Sequence, residues 1–179
     1  MVRINKENLE MNKITPFLWF DTQAEEAMDF YVDTFNGAPY KKQESKVVSI
    51  TRYEKGMDAP GAEALEGKVI TGIFELAGQR FMALDGGPVF AFTEATSFYV
   101  ECEDQKEVDY FWNKLSAVPE SEQCGWCKDK YGLSWQIIPK QLGELIGDPD
   151  PVKSKRVVNA MLKMHKIIVA DLQKAHDGK

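Results

Sequence analysis

Two cysteines three residues apart are the first candidates for chemistry. Cys124 and Cys127 stand in "EQCGWCKD". A redox C-x-x-C usually uses a helix N-terminus to lower the pKa of its first thiol, and zinc requires four ligands. Here the pair falls in a predicted hairpin strand, where residues three apart lie roughly 10 Å from each other. The pattern therefore favours a structural role, and a disulfide would require a bulge at Gly125.

Histidine is scarce, which restricts metal chemistry. His165 and His176 are the only two, eleven residues apart near the C-terminus. They have no short H-x-x-x-H spacing, and the stretch "KSKRVVNAMLKMHK", which ends just after His165, has charges at the spacing of a solvated helix face. We interpret both histidines as solvated helix residues.

Composition excludes several classes of function. The formal net charge of −6 argues against nucleic-acid binding, and no run of eighteen apolar residues is present to span a membrane. The polar beginning "MVRINKENLE" does not resemble a signal peptide. An odd cysteine count without an export signal favours a reducing cytoplasm.

A first module of strands and one helix is predicted over residues 14–87. "ITPFLWF" is a strand, Thr22 and Glu25 form a T-x-x-E capping box, and an apolar stripe continues as a helix to Gly37 in a left-handed terminus. Three strands follow in "KVVSITRYE", "KVITGIFEL" and "RFMALD".

The same order begins again over residues 94–139. "TSFYVECE" is a strand, Asp104 and Glu107 repeat the cap signal, and Val108, Phe111, Trp112 and Leu115 repeat the helical stripe. A short strand is expected near Ala117, and "EQCGWCKD" with "LSWQIIP" forms a hairpin. The sequence therefore predicts an α+β fold of two tandem β-α-β-β-β modules.

The domain organisation follows from these boundaries. Residues 1–11 form a polar extension, residues 12–146 hold the two modules, and residues 147–179 form a helical tail. Asp150 and Pro151 begin a tail helix as its cap and first residue. Val157, Val158, Met161, Leu162 and Met164 form its apolar stripe, which we expect to pack on the sheet or on a second subunit.

At this point the chain resembles the vicinal oxygen chelate superfamily of glyoxalase I, extradiol dioxygenases and bleomycin-resistance proteins. It resembles most the PhnB-like family, often labelled demethylubiquinone methyltransferase. The matching stretches include "KITPFLWFDTQAEEAMDFYVDTF", "FELAGQRFMALDGGPVFAFTEATSFYVEC", "CGWCKDKYGLSWQIIP" and "LGELIGDPDPVKSKRVVNAMLKMHKI". The resemblance implies a curved half-barrel of mixed sheet with outer helices, and a homodimer.

The resemblance also places the superfamily's four metal ligands, which are His, Glu or Gln. They fall on Pro16, Met82 or a neighbour, Ser97 and Gln136, of which only Gln136 is a plausible ligand. We therefore expect no metal and no cofactor. Methyltransferase activity is disfavoured because "DTQAEEA" lacks the glycine-rich turn of the usual S-adenosylmethionine enzymes.

Strand alternation predicts a mostly apolar cavity inside the half-barrel. Its first-strand residues would be Pro16, Leu18 and Phe20, with Phe17 and Trp19 facing the helix. The predicted ligand-binding residues are Leu18, Phe20, Met82, Leu84, Ser97, Tyr99, Glu101, Trp126 and Gln136.

Three functions remain open. The first is a metal-free homodimer that binds a small apolar or aromatic molecule, which we favour. The second is a lyase, isomerase or metal-dependent enzyme, with Glu101 as the candidate general base if burial raises its pKa. The third is an interaction protein that docks a partner through an exposed Met161–Met164 stripe.

Overall fold

The computed structural model describes residues 13–58 and 61–179, so the predicted extension at residues 1–11 lies outside the described residues. The strands are β1 (Phe17–Phe20), β2 (Lys46–Arg52), β3 (Val69–Leu76), β4 (Gln79–Asp85), β5 (Ser97–Cys102), β6 (Trp126–Lys128) and β7 (Ser134–Pro139). The α-helices are α1 (Ala24–Asn36), α2 (Gln105–Leu115), α3 (Lys140–Ile146), α4 (Pro151–Met161) and α5 (Val169–Asp177). Short 3₁₀ helices span Ala62–Leu65 and Pro119–Ser121.

The chain divides into two compact units, each holding one of the repeated modules. The first contains the described residues up to Gly37 together with Lys41–Ala91, and the second contains Ala38–Tyr40 and Phe92–Lys179. None of the helices in the described ranges is long and apolar enough to cross a membrane. The mixed α+β class predicted from the sequence is confirmed.

The first unit is a four-stranded mixed sheet covered by α1. Its strand order is β1-β4-β3-β2, with β1 and β4 parallel and the other neighbours antiparallel. Tyr31 of α1 stacks on Phe74 at 6.4 Å between ring centroids, and Phe74 stacks on Phe81 at 5.3 Å. The side chains of β3 and β4 that share this face therefore form the core under the helix.

The start of α1 differs from the predicted capping box. Its N-cap is Gln23, without a side-chain cap, and Glu25 instead holds Arg52 through two hydrogen bonds of 2.6 and 2.7 Å. The buried carboxylate of Asp85, on β4, accepts the Ala24 N–H at 2.8 Å. The local T-x-x-E pattern was misleading because an acid from a distant strand satisfies this helix end. Gly37 does end α1, but in a right-handed conformation (φ −84°).

The face of strand β1 that was predicted to line the cavity instead packs against helix α1. Leu18 pairs in register with Ala83 and Phe20 with Asp85, and all four are buried. Directly paired residues share a face of the sheet, and this is the face that contacts α1. Leu18 and Phe20 are therefore core residues, and their placement in the cavity was wrong. "FLWF" is apolar throughout, so alternation gives no phase for this strand.

The second unit has a three-stranded mixed sheet in the order β5-β7-β6, with β5 and β7 parallel. At the strand expected near Ala117, the described residues show one backbone hydrogen bond, from Ala117 N–H to the carbonyl of Lys128 at 2.9 Å. Asp104 caps α2 as predicted and accepts the Glu107 N–H at 3.1 Å. Val108, Phe111, Trp112 and Leu115 are buried as the helical stripe required.

The C-terminal helices pack on the end of β7 and on the β6–β7 hairpin. Ile138 joins Leu142, Val157, Ile167 and Leu172 in one buried cluster, with Met161 and Met164 partly buried against it. Asp150 caps α4 and Pro151 is its first residue, as predicted. Because the two methionines pack on this cluster, the stripe expected to dock a partner is occupied within the second unit.

A tight turn at Cys124–Gly125 joins this tail to the sheet. Both residues have positive φ, 51° and 86°, and Gln123 pairs with Trp126 on either side. The N–H groups of Cys124 and Gly125 donate to the carbonyls of Met164 and His165, both at 2.8 Å. Glycine accepts this left-handed conformation without strain, and a Cβ there would meet Ile138 at 2.5 Å.

Candidate functional site: the open faces of the two sheets

The open face of the first sheet, opposite α1, is apolar and aromatic. Phe17 lies beside Met82 and Trp19 beside Leu84 in the β1–β4 register. Phe17 is 48% exposed and the following loop adds Phe90 at 64%. Exposed aromatic side chains grouped on one face are typical of a surface that binds an apolar molecule.

Trp19 is held firmly on this face. Its indole N–H donates to the carbonyl of Gly87 at 3.0 Å, and its ring meets Phe90 edge-to-face at 5.0 Å. A Cβ on Gly86 would come within 2.1 Å of the indole, so only glycine permits this approach. The segment 86–90 therefore fixes the position of the Trp19 ring on the open face. This role was not predicted, because the sequence analysis assigned Trp19 to the face under the helix.

The open face of the second sheet is polar and forms two rows across the strands. One row consists of Lys128, Ser134 and Ser97, and the next consists of Trp126, Gln136 and Tyr99. The Gln136 amide donates to the Ser97 hydroxyl at 2.8 Å. Here the predicted alternation holds, because Phe98, Val100 and Cys102 turn the other way, where Phe98 packs on Trp135.

Two of the predicted site residues on this sheet are exposed. Tyr99 is 58% exposed, and partial burial together with the nearby Glu101 carboxylate raises the pKa of its hydroxyl. Glu101 is itself exposed, so the burial expected for a general base in this position is absent. The binding roles of Met82, Leu84, Ser97, Tyr99, Glu101, Trp126 and Gln136 remain predictions.

Two further polar groups belong to this face and were not predicted as site residues. Ser134 is 1% exposed, and its hydroxyl has no hydrogen-bond partner among the described residues. Lys128 forms an ion pair with Glu94, which lowers the pKa of that carboxyl chiefly through the hydrogen bond. The alternation of "LSWQII" already placed Ser134 beside Gln136, but its burial depends on neighbouring strands.

The positions of the superfamily's metal ligands do not fit a hard divalent ion. In the first unit, Pro16 has no side-chain donor atom and Met82 offers a thioether. In the second unit, Ser97 and Gln136 hydrogen-bond to each other. Residues 13–58 and 61–179 contain no group of three His, Cys, Asp or Glu side chains arranged to hold a metal.

Both histidines have structural contacts in the tail. The His165 Nδ1 lies 2.8 Å from the carbonyl of Glu122, and the His176 Nε2 lies 2.8 Å from Asp148. The first contact joins the connection between α4 and α5 to the loop before β6, and the second joins α5 to the connection between α3 and α4. The prediction of purely solvated histidines was wrong for His176, whose side chain is 13% exposed.

The two cysteines of the C-x-x-C are free thiols in a turn and the strand after it. Cys124 occupies the left-handed turn, and Cys127 is buried on β6. Burial raises the pKa of the Cys127 thiol to about 12. A thiol of that pKa is almost entirely protonated at neutral pH, so the arrangement favours the structural role predicted from the sequence.

A groove of about 710 Å³ surrounds the start of α1 in the first unit. Its lining contains more carboxylates than cations, and the Glu25–Arg52 ion pair lies along it. Desolvation, with Glu25 and Asp33 nearby, raises the pKa of Asp29 in this lining. The groove lacks the mostly apolar walls of a typical small-molecule pocket.

Comparisons with known proteins decide the family. Residues 12–138 match the family described as 3-demethylubiquinone-9 3-methyltransferase. A solved PhnB protein from Bacillus cereus is 41% identical and covers 72% of this chain and 99% of its own, with a TM-score of 0.56. This chain belongs to the PhnB-like family. The resemblance stated from the sequence is confirmed.

Two further solved structures are similar. A Pseudomonas aeruginosa protein is 15% identical over 72% of this chain and 98% of its own, with a TM-score of 0.52, and supports the fold alone. A Staphylococcus aureus protein is 28% identical over 72% and 96%, with a TM-score of 0.31. No curated protein matches this chain.

Proposed function

We propose that this PhnB-like protein binds a small apolar or aromatic molecule without a metal, as a cytoplasmic homodimer. The observation that carries the proposal is the aromatic open face of the first sheet. Phe17 and Phe90 are exposed there beside Trp19, while the helix side of the same sheet is closely packed. Such a rigid, preformed aromatic surface lowers the entropic cost of binding a flat ligand.

The methyltransferase description of the family is not extended to this chain. The β1–α1 connection, Asp21–Gln23, contains no glycine, and each sheet has a single parallel pair. S-adenosylmethionine enzymes of the usual kind use a doubly wound parallel sheet with a glycine-rich first turn. The exposed position of Glu101 likewise gives no support to an enzyme that uses it as a base.

Native mass spectrometry of untagged protein, purified without chelator, tests the proposal directly. We expect a dimer without stoichiometric metal, and a co-purified small molecule would identify the ligand. A divalent metal at one ion per subunit would contradict the metal-free proposal and return attention to the enzyme alternative. A monomer would contradict the dimer alone.

A neutral fluorescent probe, N-phenyl-1-naphthylamine, tests the aromatic face. We expect Phe17→Ala to weaken its binding by about fivefold, since part of a phenyl contact is lost. Val152→Ala is the matched control, because Val152 on α4 is an apolar residue of comparable exposure, 60% against 48% for Phe17. Equal weakening by both variants, or no binding by the native protein, would contradict the assignment of this face.

A further inference from the structure

The polar row Lys128–Ser134–Ser97 contains a buried hydroxyl without a partner. The register places Lys128 and Ser97 on either side of Ser134 on the open face of the second sheet. Ser134 is 1% exposed and its hydroxyl is unpaired within the described residues. Buried hydroxyls are nearly always hydrogen-bonded, so this one requires a reason.

An ion pair between Lys128 and Glu94 lies close to this row. Lys128 is on β6, and Glu94 lies in the turn just before β5. Because β7 lies between β6 and β5 and begins at Ser134, the ion pair spans the start of β7. Two strand spacings are roughly 10 Å, which the two long side chains span together. An ion pair in this position can act as a cover over the hydroxyl.

The groups of this row are hydrogen-bond donors that suit a carboxylate. The Lys128 ammonium and the Ser134 hydroxyl can both donate, and Ser97, which accepts from Gln136, has its own hydroxyl proton left to donate. Glu94 supplies the chain's own carboxylate to this set. The adjacent row adds aromatic surface from Trp126 and the exposed Tyr99.

We propose that this face of the second unit binds the carboxylate of an aromatic acid, which displaces Glu94 from Lys128 and hydrogen-bonds to Ser134 and Ser97. The inference rests on the proposed function, and it specifies the chemistry of the ligand. The exchange is balanced in charge, because one carboxylate replaces another. Glu94 is 60% exposed and returns to water, and an exposed carboxylate gains little free energy from its ion pair.

Calorimetric titration with 2-naphthoate and its neutral analogue 2-naphthamide tests the inference on the full chain. We expect naphthoate to bind more tightly than naphthamide. Glu94→Gln should tighten naphthoate binding by about fivefold, since the competing carboxylate is gone, and leave naphthamide within about twofold. Lys128→Met should weaken naphthoate by about tenfold or more, to the level of naphthamide.

Two further variants separate the site from general effects. Ser134→Ala should weaken naphthoate by about fivefold through the lost hydrogen bond. Lys140→Met is the matched control, because Lys140 forms a comparable ion pair with Glu103 at 2.7 Å in the same unit, outside the row. It should leave the affinity for naphthoate unchanged.

The outcomes distinguish the two proposals. Equal affinity for both probes, a Lys128→Met effect no larger than that of Lys140→Met, or weaker naphthoate binding by Glu94→Gln would overturn the carboxylate site. The proposed function would stand in those cases if N-phenyl-1-naphthylamine still binds and Phe17→Ala weakens it. Failure of all three probes to bind the native protein would overturn both.

Discussion

The two units share a plan on one side of their sheets and differ on the other. Under α1 and α2 both sheets present buried apolar side chains, as Phe74 does in the first unit and Val100 in the second. On the open side the first sheet presents Phe17 and Trp19, whereas the second presents Ser97 and Gln136. The helix side must be apolar to form a core, while the open side is free to vary. The proposed ligand contacts are therefore placed on the open faces.

The starts of the two helices show a second difference. Asp85 caps α1 from a different strand and is buried, whereas Asp104 caps α2 from the residue just before it. Asp85 also accepts the Val69 N–H at 2.9 Å, so one carboxylate joins three elements of the first unit. The first unit thus depends on a non-local cap, and the second on a local one.

The largest expected effect is that of Asp85→Ala. It leaves two buried N–H groups unpaired, which should lower the free energy of unfolding by about 4 kcal/mol. Asp104→Ala, the control in the second unit, should lower it by about 1 kcal/mol. Urea denaturation measures both, and similar values for the two variants would contradict the contrast between buried and local caps.

Next is Gly86→Ala, which tests the fixed position of Trp19. The new methyl group would meet the indole at 2.1 Å, so the ring must move and lose its bond to Gly87. We expect a loss of about 2 kcal/mol in unfolding free energy and weaker binding of N-phenyl-1-naphthylamine. Gly143→Ala in α3 of the second unit, with open space at its Cβ, should instead stabilise by about 0.5–1 kcal/mol. A Gly86→Ala variant as stable as the native chain would show that Trp19 is not held.

Smaller effects are expected for the replacement of two buried serines, and the two effects should have opposite signs. Ser45, in the first unit, accepts the Ala77 N–H at 3.1 Å, whereas Ser134 has no partner among the described residues. Ser45→Ala should lower the unfolding free energy by about 1 kcal/mol, and Ser134→Ala should raise it by about 0.5–1 kcal/mol. Thermal and urea unfolding check both signs. Destabilisation by Ser134→Ala would indicate that its hydroxyl is satisfied in solution.

The smallest effects are expected where exposed ion pairs are removed. Arg52→Met in the first unit and Glu94→Gln in the second should each change the unfolding free energy by about 0.5 kcal/mol or less, since the side chains removed are 44% and 60% exposed. Urea unfolding at low and high salt provides the measurement. A loss above about 1 kcal/mol for either variant would mean that its pair is structural, and for Glu94 it would also weaken the case for an easily displaced cover.

The sequence predicted the order of elements well and the strand faces unevenly. In "SFYVEC", polar and apolar residues alternate, so the faces of Tyr99 and Val100 followed directly. In "FLWF" every residue is apolar, so the faces of this strand were assigned from the resemblance instead. That assignment placed Leu18 and Phe20 on the open face, where the structure has Phe17 and Trp19. Only the pairing with Ala83 and Asp85 on β4 fixes this strand.

Contacts between distant segments explain the other differences. Asp104 was recognisable as a cap because its partner, Glu107, is three residues away, whereas Asp85 caps a helix that begins 61 residues earlier. Whether the Ser134 hydroxyl has a hydrogen-bond partner depends on the side chains that the neighbouring strands place beside it. Local patterns contain no information of this kind, so the sequence located the open face of the second sheet but not its Lys128–Glu94 cover.

The hydrogen bonds from the Cys124–Gly125 turn to the carbonyls of Met164 and His165 have a consequence for synthesis of the chain. The described strands and helix of the first unit are complete once Ala91 has been made. The two N–H groups of the Cys124–Gly125 turn lack their carbonyl partners until residue 165 has been translated, because each partner lies forty residues after its donor. Premature termination between these points would release a protein with a finished first half and an open hairpin, which is the form that proteolytic quality control should remove.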